Sequence, residues 1–269
     1  MSNRLRRAAV LASLAIFAAV PAIAQAKPTI TASGSTSVAP LYALLAKKYL
    51  KVCHHCVNFR LLQGGSDVGV SDVAHGRVSI GNSSRDPKPT DPGNLVFNPI
   101  AHDAICIITH KNNTIPSLDQ AGVQAIFGGT IRDWSGVAGS PITGTIDVDV
   151  RTAASGTQDA FQKIFMGTTK IFTGASQKAS NGLVQSAVAG DPNGVGYVSL
   201  AFTQGVTTVP YKGVPCTLRD AKSGAYGGIR TFYMVTLGPA QGAVKKWLKF
   251  VTHNKKAQKV IATDWVPLH

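Results

Sequence analysis

The residues best suited to chemistry in this sequence lie in one short segment, residues 151–157, which reads RTAASGT. Alternating apolar residues precede the segment and an apolar helical stripe follows it, so we expect a turn between a strand and a helix. The first N–H groups of a helix lack partners within the helix and carry the positive end of its dipole. Arg151, Ser155 and Thr157 add a guanidinium and two hydroxyl groups. Together these groups predict an anion site, with a helix-capping serine beside an exposed arginine as the plainer alternative.

Two segments nearer the N-terminus repeat the order of strand, glycine, small hydroxyl residue and helix. They are residues 34–37, Gly-Ser-Thr-Ser, and residues 64–67, Gly-Gly-Ser-Asp. Glycine lets a backbone approach a ligand closely, and hydroxyl groups donate hydrogen bonds without bringing charge. Three helix starts of this kind predict one common site for a small anion.

A fourth segment, residues 77–86, has the pattern of a short strand that ends in a polar turn before Pro87. Ser84 and Arg85 in this turn could form a further wall of the anion site. An ordinary exit from strand to loop, with a surface arginine, explains the same residues equally well.

Residues 1–26 have the order of a secretory signal: three arginines, an apolar run over residues 8–20, and Ala-Gln-Ala at residues 24–26. A permanent membrane anchor is the alternative, but Pro21 breaks the run, which is short for a membrane span. The first cysteine is Cys53, so no lipid-anchor cysteine follows the run closely. We expect a periplasmic or secreted protein after cleavage at Ala26.

The chain has 269 residues and a formal net charge of +14, which loss of the three arginines in residues 1–26 lowers to +11. A basic protein suits nucleic acid, an anionic envelope surface or an anionic solute. The lysines are scattered, aromatic residues make up only 7% of the chain, and no nucleic-acid-binding module is recognisable. We therefore expect no nucleic-acid partner, and a solvated basic surface is sufficient to explain the charge.

The four cysteines, Cys53, Cys56, Cys106 and Cys216, are even in number, as expected for disulfides in an oxidising compartment. The Cys-His-His-Cys cluster at residues 53–56 offers four metal ligands, but adjacent residues cannot easily face one tetrahedral centre. We predict a local disulfide between Cys53 and Cys56 and no metal site. Cys106 and Cys216 pair only if the fold brings them together, which the sequence leaves open.

The rest of the chain alternates predicted strands with predicted helices, which favours an α/β architecture with mostly parallel sheets. The predicted segments are a loop from 97 leading into a buried strand at 104–109, a helix at 118–127, a helix at 181–189, a strand at 195–200, a strand at 229–237 and an amphipathic helix at 242–251.

Taken together, these segments resemble the substrate-binding proteins of phosphate-specific ABC transporters, which are type II periplasmic binding proteins. The matching stretches are ITASGSTSVAPL, QGGSDVGVSDVAHGRVSIGNSSRD, NPIAHDAICIITH, AIFGGTIRDW, RTAASGTQDAF and GDPNGVGYVSL. They follow the order of the family and cover nearly all of the chain after residue 26. Each stretch alone is a modest marker, but the combination is specific.

The resemblance implies two α/β lobes joined by two hinge strands, with dehydrated phosphate held in the cleft between them. One lobe would comprise residues 27–104 and 235–269, and the other residues 105–234. It also implies a monomer that works with the permease subunits of the transporter and needs no cofactor. The expected phosphate contacts are Ser35, Thr36, Ser66, Arg151, Ser155, Gly156 and Thr157, to which the polar turn adds Ser84 and Arg85.

One position departs from the family pattern. Many members place an aspartate at the end of the strand near residue 82, where its carboxylate accepts a hydrogen bond from protonated phosphate and repels sulfate. Here Ser84 takes that place, followed by Arg85 and Asp86. Because Pro87 restricts Asp86 to extended conformations, we expect Asp86 to face outward and neutralise Arg85, with Arg85 contacting the anion. Phosphate is the expected ligand, with sulfate or molybdate as the alternative.

A secreted phosphoester hydrolase is a further alternative, because serines beside an arginine also suit phosphoryl chemistry. An enzyme of this kind would need an activated nucleophile with a base in reach. None of the seven histidines lies in the three glycine-serine segments, and no Gly-x-Ser-x-Gly elbow occurs. We therefore expect a binding protein and not an enzyme.

Overall fold

The computed structural model describes residues 26–268, so the predicted signal lies outside the described residues except for Ala26. No helix in this part of the chain is long and apolar enough to cross a membrane. The strands and helices are β1 (Thr29–Gly34), α1 (Ala39–Val52), β2 (Asn58–Leu61), α2 (Ser66–Ala74), β3 (Ile80–Ser83), β4 (Leu95–Thr109), α3 (Gln120–Phe127), β5 (Asp147–Arg151), α4 (Gly156–Phe161), β6 (Ser176–Lys178), α5 (Asn181–Gly190), β7 (Gly194–Ser199), β8 (Thr207–Val209), α6 (Leu218–Lys222), β9 (Ile229–Leu237), α7 (Gly242–His253) and α8 (Lys255–Asp264).

The strands form one connected path in the order β2-β1-β3-β9-β4-β7-β5-β6, with β8 also paired to β4. β1 pairs in parallel with β2 and β3, and β5 pairs in parallel with β6 and β7. The pairs β3–β9, β9–β4, β4–β7 and β4–β8 are antiparallel. The expectation of mostly parallel sheets is therefore wrong, because β4 and β9 run in opposite directions between two parallel groups.

The long strand β4 connects two lobes. Its residues 95–104 pair with β9, and its residues 105–109 pair with β7 and β8. We call the part built on β1, β2, β3 and β9, with the first half of β4, lobe 1, and the part built on β5 to β8 lobe 2. The two-lobed α/β fold expected from the sequence is confirmed. The lobe limits at residues 104 and 235 stay predictions, and the second of them falls within β9.

Each lobe has its own apolar core. In lobe 1, the helices α1 and α7 meet through Tyr49 and Trp247, whose ring centroids lie 5.2 Å apart. In lobe 2, Phe161 stacks on Tyr197 at a centroid distance of 3.8 Å. Because each lobe is packed internally, each can move as a unit about the connecting strands.

Most of the predicted segments correspond to observed elements. The predicted strand at 229–237 coincides with β9, and the helix predicted from residue 181 is α5. The loop predicted from residue 97 is instead part of β4, because its residues pair with β9 more than a hundred positions later in the chain. Such pairing leaves no local signal. The last predicted helix, α7, is followed by α8, which was not predicted.

All four cysteines form disulfides. Cys53 and Cys56 close the turn after α1, with their Cα atoms 5.4 Å apart, as predicted. Cys106 in β4 pairs with Cys216 just before α6, with a Cα separation of 5.6 Å, which settles the pairing that the sequence left open. Among the described residues, no group of three or more His, Cys or carboxylate side chains is arranged to hold a metal ion.

Candidate anion site

The helix starts that the sequence singles out meet where the two lobes touch. The N–H of Asp67, at the start of α2 in lobe 1, donates to the carbonyl of Ala154, before α4 in lobe 2, at 3.1 Å. A methyl group at Gly156 would overlap the Ser66 hydroxyl. A side chain at Gly65, whose φ is +98°, would lie 2.5 Å from the Ala154 carbonyl oxygen. These glycines therefore allow the two helix starts to approach each other closely.

Six buried hydroxyl side chains surround this contact, and we call them the hydroxyl cluster. Each is at most 6% exposed, and the members are Ser35, Thr36, Ser37, Ser66 and Ser84 from lobe 1 and Thr157 from lobe 2. Within lobe 1, Ser35 Oγ donates to Ser84 Oγ at 2.9 Å. Between the lobes, Ser37 Oγ lies 3.0 Å from Thr157 Oγ1. The cleft is therefore closed over the cluster.

Arg151 ends β5 beside this cluster and is 2% exposed. Its Nε and Nη2 donate to the carbonyls of Lys178 and Ala179 at 3.2 and 2.9 Å. No carboxylate of the described residues forms an ion pair with it. Burial lowers the pKa of Arg151 to about 10, and the charge of Arg230 acts in the same direction. A buried cation without a carboxylate is costly, and a bound anion would relieve that cost.

The centre of the cluster holds more hydrogen-bond donors than acceptors. Ser37 Oγ accepts from Asn181 Nδ2 at 2.8 Å and from Arg230 Nη2 at 2.9 Å. Thr157 Oγ1 accepts from Arg230 Nη1 at 2.8 Å and faces Arg151 Nη1 at 3.5 Å. A hydroxyl oxygen has two acceptor positions, so Ser37 Oγ is full, and the second position of Thr157 Oγ1 is contested by Arg151 and the Ser37 hydroxyl, which lies 3.0 Å away. The oxygens of a bound anion would supply the acceptors that these donors lack.

Arg230 in β9 and Asp103 in β4 lie opposite each other in the sheet and form a buried ion pair. Arg230 Nε and Nη2 donate to Asp103 Oδ2 at 2.9 and 2.7 Å, and Ser199 Oγ donates to Asp103 Oδ1 at 2.9 Å. Burial raises the pKa of Asp103 and lowers that of Arg230, whereas their mutual contact opposes both shifts. The direct hydrogen bonds favour the ionised pair.

Most of the predicted contact residues lie in or beside the cluster. The cluster members among them are Ser35, Thr36, Ser66, Ser84 and Thr157, and Arg151 and Gly156 adjoin them. Ser155 Oγ accepts from the N–H groups of residues 157 and 158 at 3.2 and 3.3 Å, which caps α4. This is the plainer role that the sequence also allowed for this serine. The contacts of these residues with an anion stay predictions.

Arg85, another predicted contact, lies beside the site but its side chain is held by carboxylates. Its Nε donates to Asp67 at 2.6 Å, and its Nη1 and Nη2 donate to the two carboxylate oxygens of Asp91 at 2.8 Å each. Nη1 also donates to the Asp86 carbonyl at 2.9 Å, and Asp159 lies 3.6 Å from Nε. Because carboxylates already neutralise this guanidinium, the expectation that it contacts the anion does not fit the geometry.

Asp86 faces outward, as expected from the proline that follows it. Its carboxylate accepts from Lys163 Nζ of lobe 2 at 2.7 Å and from the Tyr233 hydroxyl at 3.1 Å. The expectation that it neutralises Arg85 is wrong, because Asp67 and Asp91 do so. Asp86 therefore forms an exposed ion pair between the lobes.

Four residues at the centre were not singled out as contacts from the sequence: Ser37, Asp103, Asn181 and Arg230. Two of them carried a usable signal, because Asp103 and Arg230 are charged residues at or beside apolar strand segments. A charge in such a place needs a buried partner. Ser37 and Asn181 had no comparable signal, since a serine or asparagine at a helix start is ordinary.

The fold and the site together define a class: a two-lobed protein with a closed cleft, rich in hydrogen-bond donors, between lobes joined by long crossing strands. The family comparison agrees with this class. A model of the PBP superfamily domain matches residues 19–255, and the chain belongs to that superfamily.

Individual relatives fall within the same group. The phosphate-binding protein PstS of Bacillus subtilis is 26% identical over 245 residues, which cover 89% of this chain and 80% of the relative. A phosphate ABC transporter substrate-binding protein from Clostridium perfringens, solved with bound phosphate, has a TM-score of 0.83 and 28% identity over 90% of this chain and 100% of its own. An ABC-type phosphate transport receptor from Vibrio cholerae shares the fold, with a TM-score of 0.71 and 24% identity over 88% and 99%.

Proposed function

We propose that this protein binds inorganic phosphate between its two lobes and delivers it to the permease of an ABC transporter. The observation that carries the proposal is the excess of buried donors and positive charge at the centre of the cleft. Two buried guanidiniums, Arg151 and Arg230, both reach Thr157 Oγ1. Of the two, only Arg230 has a carboxylate partner among the described residues, Asp103. A dianion with four oxygens supplies the missing charge and the missing acceptors. The phosphate-binding relatives support this choice of anion.

The contacts that we propose from this chain are the hydroxyl cluster, Arg151, and the N–H groups at the starts of α2 and α4. The cluster provides donors from both lobes, so phosphate would bridge them. The backbone N–H groups would add neutral donors at the positive ends of the helix dipoles. The Arg85 side chain is left out, because carboxylates surround it.

Release of phosphate requires the lobes to separate. In the closed form the contacts Ser37–Thr157 and Asp67–Ala154 cross the cleft, and every cluster hydroxyl is buried. Opening would expose donors from both lobes to water, and a bound anion would favour the closed state because only there do both sets reach it. We therefore propose closure on binding, as expected of a protein that hands its ligand to a transporter.

Sulfate or molybdate is the second candidate ligand. Ser84, which stands where a carboxylate would favour protonated phosphate, accepts from Ser35 and bonds to Ser66. The one buried carboxylate at the centre, Asp103, is occupied by Arg230 and Ser199. A site without a free carboxylate has less means of rejecting an unprotonated dianion.

Calorimetric titration of the protein that starts at residue 27, with phosphate, sulfate and molybdate in turn, tests the ligand. We expect saturable binding of one phosphate per chain and a smaller radius of gyration in X-ray scattering at saturation. If sulfate or molybdate binds more tightly than phosphate, then phosphate is not the ligand of this protein. An unchanged radius at saturation would contradict closure.

We further propose that the protein is exported and acts without catalysis. Among the described residues, no histidine bonds to a hydroxyl of the cluster, so no base of that type activates a nucleophile there. Mass spectrometry of exported material should give an N-terminus near residue 27, and material that retains Met1 would contradict processing. Turnover of a chromogenic phosphate ester by the purified protein would contradict a binding role alone.

A further inference from the structure

Arg230 does not belong to the helix starts that supply most of the site. It lies in β9, directly opposite Asp103 in β4, in the sheet of lobe 1. Two positions after Asp103, at Ile105, β4 begins to pair with β7 of lobe 2. The Asp103–Arg230 pair therefore lies where the strand β4 passes from lobe 1 to lobe 2, next to the closed cleft.

The two edges of the Arg230 guanidinium have different partners. One edge, formed by Nε and Nη2, donates to Asp103 Oδ2 at 2.9 and 2.7 Å. On the other edge, Nη2 reaches Ser37 Oγ of lobe 1 at 2.9 Å and Nη1 reaches Thr157 Oγ1 of lobe 2 at 2.8 Å. The side chain is 3% exposed, and Asp103 is fully buried. Arg230 is thus held in one orientation, with a fork of donors directed at both lobes.

The donors of this fork reach two hydroxyl oxygens that also have other donors near them. Ser37 Oγ also accepts from Asn181, and Thr157 Oγ1 also faces Arg151. Ser37 Oγ and Thr157 Oγ1 lie 3.0 Å apart. An anion that displaced these two hydroxyls from the fork would accept two parallel hydrogen bonds, the arrangement in which arginine binds phosphate oxygens best.

We propose that Arg230 is a second guanidinium ligand of the bound anion and that Asp103 is the residue that positions it. This inference rests on the proposed function, since it assigns a ligand in the same site. The anion would then bridge the two lobes, contacting Ser37 and Arg230 of lobe 1 and Arg151 and Thr157 of lobe 2.

The charge of the site then determines which form of phosphate binds. Asp103 is already engaged, because Oδ2 accepts two hydrogen bonds from Arg230 and Oδ1 accepts one from Ser199. Two guanidiniums and one engaged carboxylate leave a net positive charge. Such a site favours the doubly charged form HPO₄²⁻ over H₂PO₄⁻, and the second guanidinium contributes to that preference.

The test is phosphate titration of the wild type and three variants at two pH values, below and above the pH at which phosphate loses its second proton. In Arg230→Gln we expect at least about a 30-fold loss of affinity at the higher pH and a smaller loss at the lower pH. Arg230→Lys should keep the preference for the higher pH with weaker affinity, because a point charge lacks the fork. Asp103→Asn should keep the preference and lose less affinity than Arg230→Gln, since the guanidinium is present but not held.

Arg77→Gln is the matched control, because Arg77 is a half-exposed arginine that pairs with Asp72 away from the cleft. It should bind phosphate as the wild type does.

Near-wild-type affinity in folded Arg230→Gln, or an equal loss at both pH values, would overturn the assignment of Arg230 as a charged ligand. If Arg230→Gln does not fold, Arg230→Lys decides, and wild-type affinity at both pH values contradicts the fork. Wild-type affinity in folded Asp103→Asn contradicts the positioning role. A wild type that binds no phosphate at either pH would instead refute the proposed function.

Discussion

The centre and the rim of the cleft are both built from charged side chains of the two lobes, but their charges are matched differently. At the rim, three cations, Arg85, Lys88 and Lys163, face four carboxylates among the described residues, and these are Asp67, Asp86, Asp91 and Asp159. At the centre there are two buried guanidiniums, of which Arg230 pairs with the carboxylate of Asp103 and Arg151 pairs with none among the described residues. The rim is therefore satisfied without a ligand, whereas the centre needs an anion.

The neighbours of an arginine decide what it can bind. Arg151 ends β5 and Arg85 lies two residues after β3, and both are at most 4% exposed. Arg85 is held by Asp67 and Asp91, but Arg151 donates only to neutral oxygens. A guanidinium that carboxylates already hold gains little from another anion, while one held by carbonyls gains a full ion pair.

The largest expected effect is at the centre. Arg151→Ala should weaken phosphate binding by about 2–5 kcal/mol, the range for removing one partner of a buried charge pair, and Arg151→Lys should restore binding only in part. Calorimetric titration measures both. Arg219→Ala is the control, because Arg219 is 84% exposed beside Asp220 and should have no effect. Near-wild-type affinity in Arg151→Ala would remove Arg151 from the site and weaken the contrast between centre and rim.

The next effect is at the rim and should appear in stability instead of affinity. Arg85→Ala leaves Asp67 and Asp91 without their main partner, and we expect a loss of about 1–3 kcal/mol in the free energy of unfolding. The loss should be smaller than for a fully buried pair, because Asp67 is 36% exposed. Phosphate affinity should change by less than about threefold. Denaturant unfolding and calorimetry together test this prediction, and an affinity loss as large as that of Arg151→Ala would return Arg85 to the site.

The sequence predicted the parts of the site that depend on local structure. Each helix start with its glycine and hydroxyl residue has a local signature, so Ser35, Ser66 and Thr157 could be found from the sequence. Their meeting at one place could be expected, because each follows a strand and the carboxyl ends of strands gather at one edge of a sheet. The two-lobed fold could likewise be predicted from the resemblance of the ordered motifs.

What the sequence could not predict depends on contacts between distant residues. Asp103 and Arg230 lie 127 positions apart, and only the pairing of β4 with β9 brings them together. The carboxylate partners of Arg85 were missed for the same reason. Its partner Asp67 is 18 positions away and Asp159 is in the other lobe, so the residues next to Arg85 in the chain do not reveal its neutralisation.

The smallest expected effect concerns Asp86, which pairs with Lys163 across the rim while 51% exposed. Exposed ion pairs contribute about 0–1 kcal/mol, so Asp86→Asn should leave phosphate affinity within about threefold at neutral pH. The hydrogen bond from Lys163 lowers the pKa of Asp86, although burial opposes the shift. A carboxyl group with a lowered pKa stabilises the folded state above its ordinary value of about 3.9 and loses that contribution as the pH falls through its folded value. The stability difference between the wild type and Asp86→Asn should therefore disappear in acid.

Unfolding of both proteins by denaturant at neutral pH and below about pH 4 measures this difference. Asp264→Asn, at another exposed aspartate, is the control for loss of a surface charge. A stability difference that persists in acid would show that Asp86 acts through something other than its charge. A large loss of phosphate affinity with a gain in sulfate affinity would be more serious, because Asp86 would then be the acceptor of the ligand proton. In that case the carboxylates of the rim would belong to the binding site. The rim, with its matched charges, could then no longer be separated from the centre, with its excess of positive charge.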